Sequence, residues 1–271
     1  MAVADTAVSI GGEGRFGGAF DITNSTATVE SRMQLNFNVT TETDDGIQFG
    51  IFTRVRASGG AEGTFSGPRV SASFSGFTVS VGNVSGAIES HSAAAGGTMG
   101  YTGMSFANFG GVYSGSNLMR YHSIGGLQAG GSAERIGVSY AIDGLSVGAT
   151  YERGQTAELA ASYTMEGFTV SAGASNAAGS YRTARVAYDA GDFGVSLIGT
   201  QFGGDTYITA GGTYNMGDMG TIGAYAGQHA GANVGGLSYR YSLGGGATIG
   251  AGIERAVTGG NNAEIGVAFS F

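Results

Sequence analysis

The chain of 271 residues holds 54 Gly, one Pro, no Cys and no Trp, and only 12% of its residues are charged, against about 25% in soluble proteins. Every basic residue is Arg, and the net charge of −8 argues against a nucleic-acid partner, which needs a basic stripe. The lack of Cys excludes disulfides and thiolate chemistry, and no stretch approaches the roughly 18 consecutive apolar residues of a membrane helix.

At the start, Ala2-Val3-Ala4 before Asp5 has the small-residue pattern of a leader cleavage site. Three small residues by chance is the other reading. From residue 7 onward the dominant signal is alternation with period 2, which marks half-buried strands. Val29, Met33, Leu35, Phe37 and Val39 share one face, with Glu30, Arg32, Gln34, Asn36 and Asn38 on the other. Ile47, Phe49, Ile51 and Val55 repeat this against Gln48, Arg54 and Arg56. At the end, Ile265, Val267, Phe269 and Phe271 share a face.

The alternation predicts about sixteen strands, an even number of the kind bacterial barrels use. They cover 7–20, 27–41, 46–57, 64–74, 77–83, 135–142, 145–153, 157–165, 168–175, 181–189, 193–201, 206–214, 221–228, 234–243, 247–256 and 263–271. Short turns rich in Gly and Asp fall at every second connection, among them Asp44-Asp45-Gly46, Ser75-Gly76, Asp143-Gly144 and Glu166-Gly167. Such pairs supply the positive φ that tight hairpins need. The intervening connections are read as looser and polar, for example 153–156, 175–180, 203–206 and 258–262. This pattern predicts an all-β fold, a transmembrane antiparallel β-barrel occupying 1–271 as one domain. Closure leaves no unpaired edge, as lipid requires. Aromatics near strand ends, such as Tyr140, Tyr163, Phe168, Phe193 and Tyr214, suit girdles at the membrane interfaces.

Residues 84–133 break the rhythm. A connection of that length is usually functional, and in a barrel its expected place is the lumen, where it narrows the passage. Five of the twelve Arg fall in the first four predicted strands: Arg15, Arg32, Arg54, Arg56 and Arg69. Each lies opposite the apolar face of its strand and at a similar height, so the five are expected to form a basic wall in the lumen. Glu13 and Glu30 lie close enough to pair with it, and Glu89 is the carboxylate of the long segment. Fixed charges in a narrow aqueous passage bias which solutes cross. Arg135 and Arg185 are expected to point inward as well, and Arg255 outward.

Other motifs fail their context. Gly12 to Gly17 matches G-x-G-x-x-G but has no helix after it, and Gly144 to Gly148 matches G-x-S-x-G within a hairpin rather than a strand-turn-helix. His91, His122 and His229 lack ligand spacing, so no metal or other cofactor is expected from the residues themselves.

The stretches GRFGGAF at 14–20, SRMQLNFNVTTETDDGIQFG at 31–50, GFTVSVGNV at 76–84, MGY at 99–101, SYAIDGLSVGATY at 139–151 and FSF at 269–271 resemble the general porins of the Rhodobacter type, from alphaproteobacterial outer membranes. The resemblance implies a sixteen-stranded trimeric pore whose third external loop folds inward, with a basic wall facing acidic groups on that loop. It matches the five arginines to that wall and Glu89 to the acidic loop, and it implies calcium as a cofactor of some relatives, with no ligands identified here. The loop departs from the family in its Ser, Ala and Gly run at 92–97, which points to a modest transverse field. The expected function is a non-enzymatic diffusion porin in the outer membrane of a Gram-negative bacterium, passing ions and small polar solutes. Its expected partners are lipid, lipopolysaccharide and two further copies. The alternative is a monomeric outer-membrane barrel with a solute-specific or enzymatic role.

Overall fold

In hydrocarbon every backbone N–H and C=O must find a partner within the protein. Alternating strands meet that demand only by pairing on both sides, and this chain does so around a full circle. The computed structural model describes residues 6–60, 62–91, 118–119, 121, 135–154, 156–177, 179–256 and 259–271. Most of the long segment 84–133 lies outside the described residues, as does the Ala2–Ala4 pattern.

The elements are β1 (Ala7–Asp21), β2 (Thr26–Glu42), β3 (Gln48–Ser58), β4 (Thr64–Phe65), β5 (Arg69–Phe74), β6 (Phe77–Gly82), α1 (Ala87–His91), β7 (Arg135–Ile142), β8 (Leu145–Glu152) and β9 (Ala157–Met165). They continue with β10 (Phe168–Ser175), β11 (Tyr181–Asp189), β12 (Phe193–Phe202), β13 (Asp205–Asn215), β14 (Thr221–His229), β15 (Ala232–Gly244), β16 (Ala247–Arg255) and β17 (Asn261–Ser270). Apart from β4 and β5, each strand pairs antiparallel with its sequence neighbours. β17 returns to β1 in register from Glu13–Ser270 to Asp21–Asn262, which closes the sheet. β4 and β5 both pair with β3 and are two pieces of one strand, so the described residues form a closed barrel of sixteen strands.

That split corrects the continuous strand expected over 64–74. Pro68 has no N–H to give to a ladder. The chain leaves β3 at Ser66, whose N–H donates to the Arg54 carbonyl at 2.8 Å and whose Oγ accepts from the Arg54 N–H at 3.0 Å. The turns also differ from expectation at one end. Ser75-Gly76, Asp143-Gly144 and Glu166-Gly167 have positive φ at both positions, as two-residue hairpins demand. Gly203-Gly204 and Ala230-Gly231, on the opposite rim, do the same. The connection expected to be loose at 203–206 is therefore a tight two-residue turn between Phe202 and Asp205.

The two faces separate as the alternation requires. Outward residues are apolar and bare in the single chain: Val29 is 87% exposed and Leu237 is 61% exposed. Inward residues are polar and covered, as with Arg15, Gln34, Thr209 and Glu264. Phe77 packs on Tyr140 at 4.3 Å and Phe168 on Tyr188 at 4.4 Å between ring centroids, beside the short turns. This is the position of an interfacial girdle. A small apolar cluster lies on the inner wall. Ala87, Ile88 and Leu118 pack there against Ala160 and Tyr181, with Phe202 and Tyr207 at its border.

Candidate functional site

The register of β1, β2 and β3 stacks the inward charges in rows. Arg15 lies directly across from Arg32, Glu13 from Gln34, Gln34 from Arg56, and Asn36 from Arg54. Two like charges side by side are unfavourable unless compensated. Two of the arginines meet carboxylates. Arg15 pairs with Glu30 at 2.7 Å, and Arg32 with Glu13 at 2.7 Å. The other two of this wall meet a neutral amide. The Gln34 Oε1 accepts from Arg54 Nη1 at 3.2 Å, from Arg56 Nε at 2.9 Å, and also from Arg56 Nη2. Arg69, on β5, lies across from Phe52, with its guanidinium 5.0 Å from that ring's centroid.

Across from this wall, α1 lies on the inward faces of β8, β9 and β10. The Ala87 N–H donates to Thr150 Oγ1 at 2.9 Å, and the N–H groups of Ile88 and Met119 donate to the Glu158 carboxylate at 3.2 and 2.6 Å. Five residues make too short a helix to stand alone, so the wall holds it. Gly148 makes room, because a Cβ there would collide with the His91 ring. His91 Nδ1 lies 2.8 Å from Ser146 Oγ, and burial pushes the His91 imidazole below its ordinary pKa. Arg135 is buried, pairs with Glu152 at 2.6 Å and donates to the Val84 carbonyl at 3.2 Å, where the long segment leaves the barrel.

Tyr121 joins the two sides. Its ring lies 4.1 Å from the Arg54 guanidinium and edge-on to Phe52, an arrangement that attracts a cation. Its hydroxyl is 2.6 Å from Ser66 Oγ. Glu89 accepts the Tyr121 N–H at 3.1 Å. Glu89 therefore reaches the arginines through Tyr121 and not by a direct ion pair among the described residues.

The structure thus brings Arg15, Arg32, Arg54, Arg56, Glu13 and Glu30 into one patch, with Arg69 beside it and Glu89 across from it. Arg185 is half-buried with inward parity, and Arg255 is exposed on the outward side. Sequence reasoning missed Gln34, Tyr121 and Glu158 as members. Parity marks Gln34 and Glu158 as inward, but only the register shows what each one touches. Among the described residues no three His, Asp or Glu side chains gather in one place.

A profile of the Gram-negative porin family matches residues 1–268. The chain belongs to the Gram-negative porins. A porin of Fuscovulum blasticum is 27% identical, covering 97% of this chain and all of that one. Variants of the porin of Rh. blastica superpose with a TM-score of 0.86 at 25% identity, covering 98% of this chain and all of theirs. A triple mutant of the Rhodopseudomonas blastica porin gives 0.85 at 24%. The porin is accordingly a multi-pass β-barrel of the outer membrane, and its closed barrel with a polar inner face forms a water-filled diffusion channel for small solutes.

Proposed function

We propose that the arginine patch on β1, β2, β3 and β5, facing α1 and Tyr121, is the charge-selective constriction of this porin. Transport through it is passive, with no catalytic step. The observation that carries the proposal is the charge balance of the patch. Five arginines face the three carboxylates Glu13, Glu30 and Glu89, and among the described residues Arg54 and Arg56 meet the neutral Gln34 and an aromatic ring rather than a carboxylate. Between His91 and Ala133 the sequence holds no Asp or Glu, so that stretch supplies nothing to cancel them. A net positive charge in a narrow aqueous passage favours anions and the anionic ends of dipolar solutes.

The bare outward face is taken to meet lipid and lipopolysaccharide over most of the circumference, and two further copies of the chain over the rest. Planar-bilayer recordings in a salt gradient test the constriction. Arg54→Ala combined with Arg56→Ala is expected to move the reversal potential toward cations. A wild-type reversal potential in that variant would remove the patch from the selectivity mechanism.

A further inference from the structure

We infer that Gln34 is a selectivity-determining positioning residue, holding Arg54 and Arg56 together through a neutral oxygen so that both positive charges stay uncompensated in the passage. This rests on the constriction reading above and goes one step beyond it.

Two guanidiniums placed side by side repel and need a shared acceptor. The chain provides that acceptor in two chemical forms on the same wall. Glu30 pairs with Arg15 and Glu13 with Arg32, each at 2.7 Å, and each carboxylate cancels one charge. Gln34 instead bridges Arg54 and Arg56, and does so with an amide. It has the same hydrogen-bonding reach as a carboxylate but carries no charge. Its orientation is fixed from both ends. The oxygen takes the three guanidinium donors, and the amide nitrogen donates to Asn36 Oδ1 at 3.0 Å. Turning the amide over would aim its N–H groups at two cations. Gln34 is itself buried, 6% exposed, and lies between Glu13 and Arg56 in the register. Among the described residues Arg54 Nε is buried without a hydrogen-bond partner. A guanidinium only donates, so the two arginines present positive charge and no acceptor to a passing solute. The solutes favoured are small anions, including those bearing a carboxylate or phosphate.

The test compares Gln34→Glu, Gln34→Leu and Glu13→Gln with the wild-type porin in planar bilayers, reading reversal potentials in a KCl gradient. Folding is checked by the heat-dependent gel mobility of the intact barrel. Gln34→Glu is expected to lower the chloride-to-potassium permeability ratio about threefold near 0.1 M salt, the effect of one charge at roughly 7 Å in water, with a smaller change at 1 M. Gln34→Leu keeps the charge and loses the bridge, so it should shift the ratio measurably but less than half as far, and a wild-type ratio in a conducting Gln34→Leu porin overturns the holding role. Glu13→Gln uncovers Arg32 and should raise the ratio; it also serves if Gln34→Glu does not fold. A conducting Gln34→Glu porin with the wild-type ratio overturns the inference, as does a Gln34→Leu shift equal to that of Gln34→Glu, or no rise for Glu13→Gln. The combined Arg54 and Arg56 substitution separates the two failures. If it shifts the ratio while Gln34→Glu does not, the constriction stands and the role of Gln34 falls. If it does not shift the ratio, the constriction itself is wrong.

Discussion

Arg135 and Glu152 face each other across β7 and β8 with only 6% and 9% of their side chains exposed. A covered ion pair adds little over an apolar pair of the same shape, but removing one partner leaves a buried charge. Glu152→Gln is therefore expected to destabilise the barrel by about 3 kcal/mol, seen as a lower urea midpoint with an unchanged slope. Arg135→Met combined with Glu152→Leu should recover most of the loss. A Glu152→Gln barrel as stable as the wild type would show that the pair holds nothing. At this scale the sequence is half legible. Parity alone points Arg135, Arg54 and Arg56 inward, because a period of 2 assigns every side chain to a face. Parity does not say which groups meet. Glu152 finds Arg135, and Gln34 finds two arginines, through cross-strand register, and that depends on where each hairpin turns.

Among the elements, the strands were readable because each repeats a short local rule. The break at Ser66 to Pro68 and the docking of α1 were not, since both depend on contacts with distant strands. Ser66 leans on Arg54 of β3, and α1 exists because Glu158 and Thr150 accept its N–H groups. That docking carries a pH dependence. Burial lowers the pKa of His91 when α1 is seated, while an undocked His91 titrates near about 6.5. A proton then binds the undocked state more tightly. The stabilisation is complete above that value and is lost as pH falls through the lowered one. Hydrogen exchange in detergent is expected to show less protection at the Ile88 and Ser90 amides at pH 5 than at pH 7. His91→Gln should reduce the difference. Equal protection at both pH values in the wild type would show that His91 does not govern the seating.

The whole molecule must cover an apolar belt that the single chain leaves bare. Lipid can do this anywhere, and the proposed trimer is taken to bury the face around the β17–β1 seam. Gly12 and Gly14 point outward there, and the rings of Phe271 and Phe269 lie over them. Beside them a recess of about 590 Å³ is bordered by Phe16, Ser31, Met33 and Ala57. In a membrane, chains associate largely through van der Waals packing, and a recess of this size can receive side chains of a neighbour. A threefold ring that buries this face against a neighbour uses one patch and its complement and closes without leaving a free end. The proposed trimer therefore predicts a protein mass of about 81 kDa in mild detergent, three times the 27.0 kDa chain, and conductance that appears in groups of three steps. Ser31→Trp places a large ring in the recess without touching the inward face. It should leave a folded, conducting barrel that runs at the mass of one chain and opens in single steps. If the wild-type porin already behaves as a single chain, lipid covers the seam and the trimer proposal fails. If Ser31→Trp remains a trimer, the copies meet through a different face.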